Sequence, residues 1–214
     1  MTLEPTGNLN DLGVTAGSTL DSPPAASSAS YLSSLRELLG TIDVAAIDRL
    51  LDVLRTARDS RATIYIAGNG GSASTASHWA NDLGKATKRS GRLPIRALCL
   101  ADNVSWFSAL ANDEGYARVF AGQLENFARL DDVLIVISAS GNSVNLIEAV
   151  DVARQAGMTS VGLLGFDGGE LRHRVDEMVW VRSQNGAYEL VEDAHAAICH
   201  AITRSLAADR KENL

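Results

Sequence analysis

Short apolar runs alternate with helical stripes along most of the chain. Five runs are rich in β-branched residues and are short enough to be buried strands, at 63–67, 95–100, 133–138, 160–164 and 177–181. The patterns between them predict helices that start near Ser72, Val104, Tyr116, Asn142 and Gly169, and a last helix from about Ala187 to Leu206. Such alternation is typical of an α/β fold with a parallel sheet and helices on both faces.

Two further helices are predicted before the first strand, outside the alternating pattern. Their apolar positions recur at helical spacing, first at Leu32, Leu35, Leu38 and Leu39, then at Val44, Ile47, Leu51 and Leu54. Gly40 separates them, and either Thr41 or Asp43 can cap the second. The pair is therefore predicted to form a helical hairpin, which either covers the sheet or packs against another subunit.

The chain ends differ in composition from the rest. Residues 1–29 are rich in Ser, Thr, Gly, Pro and Ala and are predicted to be a flexible leader. Residues 30–208 are predicted to form a single domain, and residues 209–214 a frayed, charged tail.

Two turns rich in glycine and serine follow the first and third predicted strands. The first reads Gly68-Asn69-Gly70-Gly71-Ser72, and the second reads Ser138-Ala139-Ser140-Gly141-Asn142-Ser143. A turn of this kind between a strand and a helix points backbone N–H groups at a bound anion. Because the carboxyl ends of parallel strands share one edge of a sheet, the two turns predict one phosphorylated ligand held between them.

Composition and charge narrow the classes of partner. The 214 residues are 46% hydrophobic and carry a net charge of -7, which argues against nucleic acid as a main partner. No apolar run approaches the roughly 20 residues of a membrane span, and the first residues do not resemble a signal peptide. Cys99 and Cys199 lie in apolar runs and are interpreted as buried thiols, so we expect a cytoplasmic protein without a membrane partner.

Two helices carry candidate metal ligands. His78 and Asp82 are four residues apart on the helix after the glycine turn, and Glu192 and His200 lie two turns apart on the last helix. If these faces meet, two imidazoles and two carboxylates would suit Zn²⁺ or a similar divalent metal. Spacing alone leaves alternatives open, because His78 and Asp82 could be a surface pair and His200 a core histidine. His195 is interpreted as a structural residue or as a partner of a ligand.

The order of these motifs resembles a known family. The series begins with the glycine turn and His78, continues through Asn112-Asp113-Glu114-Gly115-Tyr116 and the serine turn, and ends with Asp167-Gly168-Gly169. It is similar to the SIS (sugar isomerase) domain, in the branch of the phosphoheptose isomerases, and the resemblance covers residues 31–206. Members of that branch interconvert sedoheptulose 7-phosphate and D-glycero-D-manno-heptose 7-phosphate.

The resemblance implies a fold, an assembly and a site. The fold is a three-layer sandwich around a five-stranded parallel sheet, and the assembly is a homotetramer with active sites at subunit interfaces. Asp82 would be the catalytic base and His200 the catalytic acid, and a metal, expected to be Zn²⁺, would be held by His78, Asp82, Glu192 and His200. The residues implied in binding the sugar phosphate are Asn69, Gly70, Gly71, Ser72, Asn103, Asn112, Asp113, Ser138, Ala139, Ser140, Ser143, Glu189 and Glu192.

This chain departs from the family at several of these positions. Asp82 stands where the family has Glu, Glu192 where it has Gln, and Asn103 where it usually has Asp, while Ala86 occupies the place of a basic residue. A different class of function is a non-catalytic module that senses phosphosugars or serves as an assembly scaffold. One scaffold protein that resembles the phosphoheptose isomerases lacks the histidine on the last helix, so the presence of His200 favours an enzyme. The heptose that such an enzyme makes could serve a surface glycan or a specialised metabolite.

Overall fold

The computed structural model describes residues 27–89 and 92–209. The predicted leader lies outside these residues, except for its last positions. The helices are α1 (Ser28–Leu39), α2 (Val44–Ser60), α3 (Gly71–Lys85), α4 (Val104–Asp113), α5 (Ala121–Phe127), α6 (Val144–Gln155) and α7 (Tyr188–Ala208). The strands are β1 (Thr63–Gly68), β2 (Arg96–Cys99), β3 (Val133–Ser138), β4 (Thr159–Leu164) and β5 (Glu177–Trp180), and two 3₁₀ turns lie at Tyr116–Arg118 and Glu170–His173.

The five strands form one parallel sheet, as predicted. Their order is β2-β1-β3-β4-β5, so the chain moves outward in one direction from β1 and in the other from β3. β1 and β3 are adjacent, with Gly68 in register with Ile137. In open α/β sheets the crevice at such a reversal of strand order is the usual place for a ligand.

Two hydrophobic clusters lie on opposite faces of this sheet. Successive side chains of a strand point to opposite faces, so Ile64 and Ile66 pack with α2, α3 and α7, whereas Tyr65 packs with α5 and α6. The two central strands β1 and β3 are buried along their whole length because both faces are covered, which explains why they read as continuous apolar runs. Both cysteines are buried free thiols.

Two predicted helix starts differ from the structure. The segments near Tyr116 and Gly169 form 3₁₀ turns of three and four residues, whereas the helix predicted near Asn142 is present and begins at Val144. Positive φ angles of Gly168 and Gly169, 86° and 53°, keep the backbone there out of a helix. The start predicted near Tyr116 is the 3₁₀ turn Tyr116–Arg118, and the next helix, α5, begins five residues after Tyr116, at Ala121.

The two N-terminal helices play different structural parts. α2 is capped by Asp43, whose side chain accepts a hydrogen bond from the N–H of Ala45 at 2.9 Å, and it buries Leu50 and Leu54 in the core. α1 begins at Ser28, just inside the predicted leader, and has no buried residue. Its contact with α7 includes a hydrogen bond of 2.7 Å from the hydroxyl of Tyr31 to Asp193.

The last described residue, Asp209, is firmly held although it falls in the predicted frayed tail. Its carboxylate accepts hydrogen bonds from the guanidinium groups of Arg55, Arg58 and Arg92 at distances between 2.8 and 3.3 Å. Burial alone would raise the pKa of Asp209, but Arg55 and Arg58 together hold it below its ordinary value. Within the described part of the chain, no helix is long and apolar enough to cross a membrane.

Candidate functional site

The glycine turn connects β1 to α3 at the reversal of strand order. Gly70 has a φ of 53°, which favours glycine, and it precedes α3 without a side-chain cap. Ser72 is buried in the first turn of the helix and does not cap it. A methyl group on Gly68 would lie 2.7 Å from backbone atoms of Ser72, so β1 and α3 meet closely here.

The serine turn connects β3 to α6 beside the glycine turn. The buried hydroxyl of Ser138 accepts a hydrogen bond from the N–H of Gly141 at 3.0 Å, and the hydroxyl of Ser140 accepts one from Asn142 at 3.3 Å. Ala139 is buried beneath the turn. Ser143 precedes α6, but its side chain makes no capping hydrogen bond, so the first N–H groups of α6 lack a side-chain acceptor.

The amides of Asn69 and Asn145 join the two turns. Each amide donates to the other, at 3.0 and 2.9 Å, and the hydroxyl of Tyr116 also donates to the Asn69 oxygen at 2.9 Å. The side chain of Asn69, predicted to bind the sugar phosphate, is therefore largely occupied within the protein. Asn145 is almost completely buried and was missed by the sequence reasoning. The signal was an amide in the first turn of a helix whose neighbours Leu146 and Ala149 are apolar.

The loop after β4 supports the serine turn. Leu171 donates its N–H to the carbonyl of Gly141 at 2.9 Å, and Glu170 donates its N–H to the Asn142 side chain at 2.9 Å. A methyl group on Gly141 would overlap the carbonyl of Gly168, and the φ of Gly141 is 67°. Glycine is thus required where the serine turn meets the loop after β4. This contact gives a physical reason for the glycines of the serine turn and of Asp167-Gly168-Gly169.

Three of the four predicted metal ligands lie together between α3 and α7. Donor atoms of His78, Asp82 and His200 all fall within 4.8 Å of one another. The Asp82 carboxylate lies 3.5 Å from Nε2 of His78 and 3.8 Å from Nε2 of His200. Two imidazoles and one carboxylate are a suitable donor set for zinc with one position left open. The residues present therefore fit a divalent metal, and they line a small cavity of about 170 Å³.

Glu192 lies apart from these three residues. Its carboxylate touches Gly71 at the start of α3, where a methyl group would overlap it. Because Glu192 meets the start of α3 and His200 meets Asp82 farther along, α3 and α7 run in the same direction. Burial raises the pKa of the Glu192 carboxyl, and the charges of Glu189 and Asp193 add to the effect.

The other predicted binding residues lie on exposed loops and helix ends. Asn103 caps α4 by accepting a hydrogen bond from the N–H of Trp106 at 3.2 Å, and it lines a cleft of about 590 Å³ beside β2. Asn112 donates to Asp113 at 2.7 Å at the end of α4. Glu189 is exposed on the first turn of α7. None of these four belongs to the cluster of His78, Asp82 and His200 in the described structure.

His195 is completely buried on α7, between Glu192 and His200 in the sequence. Neither ring nitrogen makes a well-formed hydrogen bond. The nearby backbone of Leu164 partly offsets the effect of burial on the pKa of the ring. Burial lowers the pKa of His195 to about 4. The imidazole is therefore neutral near pH 7, which agrees with the interpretation of His195 as a structural residue.

Comparisons with known proteins agree with these motifs. The SIS domain model matches residues 30–165. A phosphoheptose isomerase of Helicobacter pylori is 36% identical over 171 residues, which are 80% of this chain and 83% of that protein. Lincomycin biosynthesis protein LmbN of Streptomyces lincolnensis is 38% identical over 148 residues, which are 65% of this chain and 54% of that protein.

Solved structures extend the agreement to the fold. The structure of a phosphoheptose isomerase from Neisseria gonorrhoeae superposes with a TM-score of 0.75 at 27% identity, over 83% of this chain and 95% of that chain. The predicted fold and the predicted family are thus both confirmed. The chain belongs to the SIS domain family, in its phosphoheptose isomerase branch, and is a sugar-phosphate isomerase.

Proposed function

We propose that this protein interconverts sedoheptulose 7-phosphate and D-glycero-D-manno-heptose 7-phosphate, with Asp82 as base and His200 as acid. The observation that carries the proposal is the convergence of His78, Asp82 and His200 between two helices, one of which leaves the glycine turn. The relatives named phosphoheptose isomerase support the choice of a heptose phosphate.

The serine turn and the start of α6 are the proposed seat of the phosphate. The N–H groups at the start of α6 lack a side-chain acceptor, and the positive end of the helix dipole favours an anion. Ser140 and Ser143 would add hydroxyl donors. At the start of α3 the Glu192 carboxylate already lies against Gly71, and its charge would repel a phosphate there.

The reaction requires two proton movements and no redox partner. On the ketose, a base removes a proton from C1 while the oxygen on C2 gains one, which gives an enediol. The first proton then returns to C2 as the hydroxyl on C1 loses its proton, which gives the aldose. We assign the carbon-bound proton to the Asp82 carboxylate and the proton exchange at the two oxygens to the His200 imidazole.

A divalent metal, proposed to be Zn²⁺, fits the same residues. His78, Asp82 and His200 would hold it, and Glu192 is proposed as a fourth ligand that would have to leave Gly71. When bound, the metal would polarise the carbonyl of the sugar as a Lewis acid. The carboxylate of Asp82 has two oxygens, so one can bind the metal while the other accepts the proton.

A homotetramer is proposed as the assembly. The support is the N-terminal hairpin, where Leu32, Leu39 and Val44 are exposed and α1 contributes no buried residue. Covering these side chains in a subunit interface would remove apolar surface from water. The alternative of a non-catalytic module is less well supported, because the donor set of two histidines and one carboxylate is present and convergent.

The test combines turnover with metal content. Purified protein is incubated with sedoheptulose 7-phosphate, the aldose is followed by NMR, and metal is measured by mass spectrometry. We expect aldose to form, about one metal per subunit, and loss of both in His200→Ala. His173→Ala, at an exposed histidine on the 3₁₀ turn, is the matched control.

The possible results separate the alternatives. Metal without turnover would indicate a different sugar phosphate and contradict the assigned substrate. Turnover that survives in His200→Ala would contradict the assigned acid. Neither metal nor turnover would leave the non-catalytic module as the better explanation.

A further inference from the structure

A second cleft lies at the opposite edge of the sheet, between the start of α2 and the edge strand β5. We call it the Trp180 cleft, after the indole that lies in it. Its volume is about 650 Å³, within the usual range for sites that bind small molecules. Its lining residues include Ala46, Arg49, Arg172, Met178, Trp180 and Arg182. It shares no lining residue with the cavity of His78, Asp82 and His200.

Two guanidinium groups stack on one indole in this cleft. The guanidinium carbons of Arg172 and Arg182 each lie 4.2 Å from the centroid of the Trp180 ring. The indole is fixed in turn, because its Nε1 donates to the carbonyl of Phe166 at 3.1 Å. Stacking uses the flat face of a guanidinium group and leaves the N–H donors at its edge available for an oxyanion.

Neither of these arginines has a carboxylate partner among the described residues. The acids that line the cleft bind other groups than these two arginines: Glu177 pairs with Arg49, which also lines the cleft, at 3.1 Å, Asp43 caps α2, and Asp176 accepts from Ser160. Two cations without a partner thus face a cleft whose acids already have partners. An arginine pair fixed in this way is suited to a ligand with two adjacent anionic groups.

We propose that the Trp180 cleft binds a ligand carrying a diphosphate group, separately from the sugar phosphate. Both guanidinium groups lie against the same indole, and in the proposed complex each would donate from its edge to one phosphate of the diphosphate. The apolar side chains of Ala46 and Met178 would contact the organic part of the ligand. The cleft is larger than inorganic diphosphate, which leaves room for that part.

The site lies next to a segment that supports the serine turn. Arg172 follows Leu171, whose N–H donates to Gly141, and the N–H of Arg172 itself donates to Gly168 at 3.2 Å. A methyl group on Gly168 would lie 3.0 Å from the side chain of Arg172. A ligand that holds Arg172 would therefore contact the 3₁₀ turn that holds the proposed phosphate seat.

Fluorescence of Trp180 provides the test. Inorganic pyrophosphate is titrated into the purified protein at constant ionic strength, and binding is followed by tryptophan fluorescence and by calorimetry. We expect saturable binding and a change in fluorescence that is absent in Trp180→Phe. Arg172→Gln and Arg182→Gln should each raise the dissociation constant at least tenfold, because each removes a charged donor. Arg204→Gln, an exposed arginine on α7, is the matched control and should bind as the wild type does.

A Ser140→Ala variant distinguishes this cleft from the proposed phosphate seat. We expect it to bind pyrophosphate at the cleft unchanged, whatever its effect on isomerase turnover. Binding lost in Ser140→Ala but kept in Arg182→Gln would overturn the proposal, because the anion would then occupy the serine turn. Absence of saturable binding, or equal weakening by Arg204→Gln, would also overturn it.

Discussion

The buried imidazole of His195 should make folding stability depend on pH. Burial lowers its pKa to about 4 in the folded protein, against an ordinary value of 6.5. Between these values the unfolded chain binds a proton that the folded chain does not, so stability is greatest above pH 6.5 and falls as the pH drops towards 4. Below pH 4 both states are protonated and this loss is complete.

The size of the effect follows from the pKa difference. At about 1.4 kcal/mol per pKa unit, the fall amounts to about 3 kcal/mol. His195→Leu removes the titrating group and, besides packing, only the weak contact of the ring with the Leu164 backbone. We expect the variant to be close to the wild type at pH 7 and more stable than it at pH 4.5.

Urea unfolding at pH 7 and pH 4.5, at one fixed protein concentration, measures the effect. Other acids titrate over the same range, so the informative quantity is the difference between wild type and variant at each pH. His173→Leu, at an exposed histidine, controls for the loss of an imidazole in general. If the stability curves of wild type and His195→Leu run parallel over this range, the reasoning about His195 is refuted.

Four further predictions concern single substitutions. Asn145→Leu leaves the amide of Asn69 partly unpaired, so we expect a loss of about 1–3 kcal/mol in urea unfolding and a raised KM for the sugar phosphate in the NMR assay. Asp209→Ala leaves three arginines without their shared acceptor, and the midpoint of thermal unfolding should fall, less so at high salt. Gly84→Ala meets open space in α3 and should raise the free energy of unfolding by up to about 1 kcal/mol, whereas Gly71→Ala would overlap the Glu192 carboxylate and should lower it, both measured by urea unfolding.

The strands were predictable because each one is marked by a run of neighbouring apolar residues in the sequence. All five predicted strands overlap the observed ones, and 133–138 agrees at both ends, since a run buried on both faces needs a continuous series of apolar residues. The helix predicted near Gly169 was wrong because two glycines with positive φ angles turn the chain there. The sequence shows that glycine permits such angles. It does not show the contacts with the serine turn that impose them.

The candidate site was predictable only in part, for a similar reason. His78 and Asp82 share a helix face, so their proximity follows from spacing alone, but their meeting with His200 depends on how α3 packs against α7. The position of Glu192 at Gly71 also depends on that packing. The pairing of Asn145 with Asn69 joins residues 76 positions apart, which no local pattern reveals.

The absence of buried residues in α1 has a consequence for how the protein could be altered. The fully buried side chains of both clusters come from other elements, and α1 adds only the partly buried Leu38 to the first of them. Under the proposed assembly, folding of the subunit and association of subunits would therefore depend on different parts of the chain. A chain that begins at Thr41 should keep its cooperative unfolding transition. Sedimentation should show fewer subunits per assembly than in the full chain. Evolution could accordingly exchange the apolar face of α1 for another and change the assembly without refolding the enzyme.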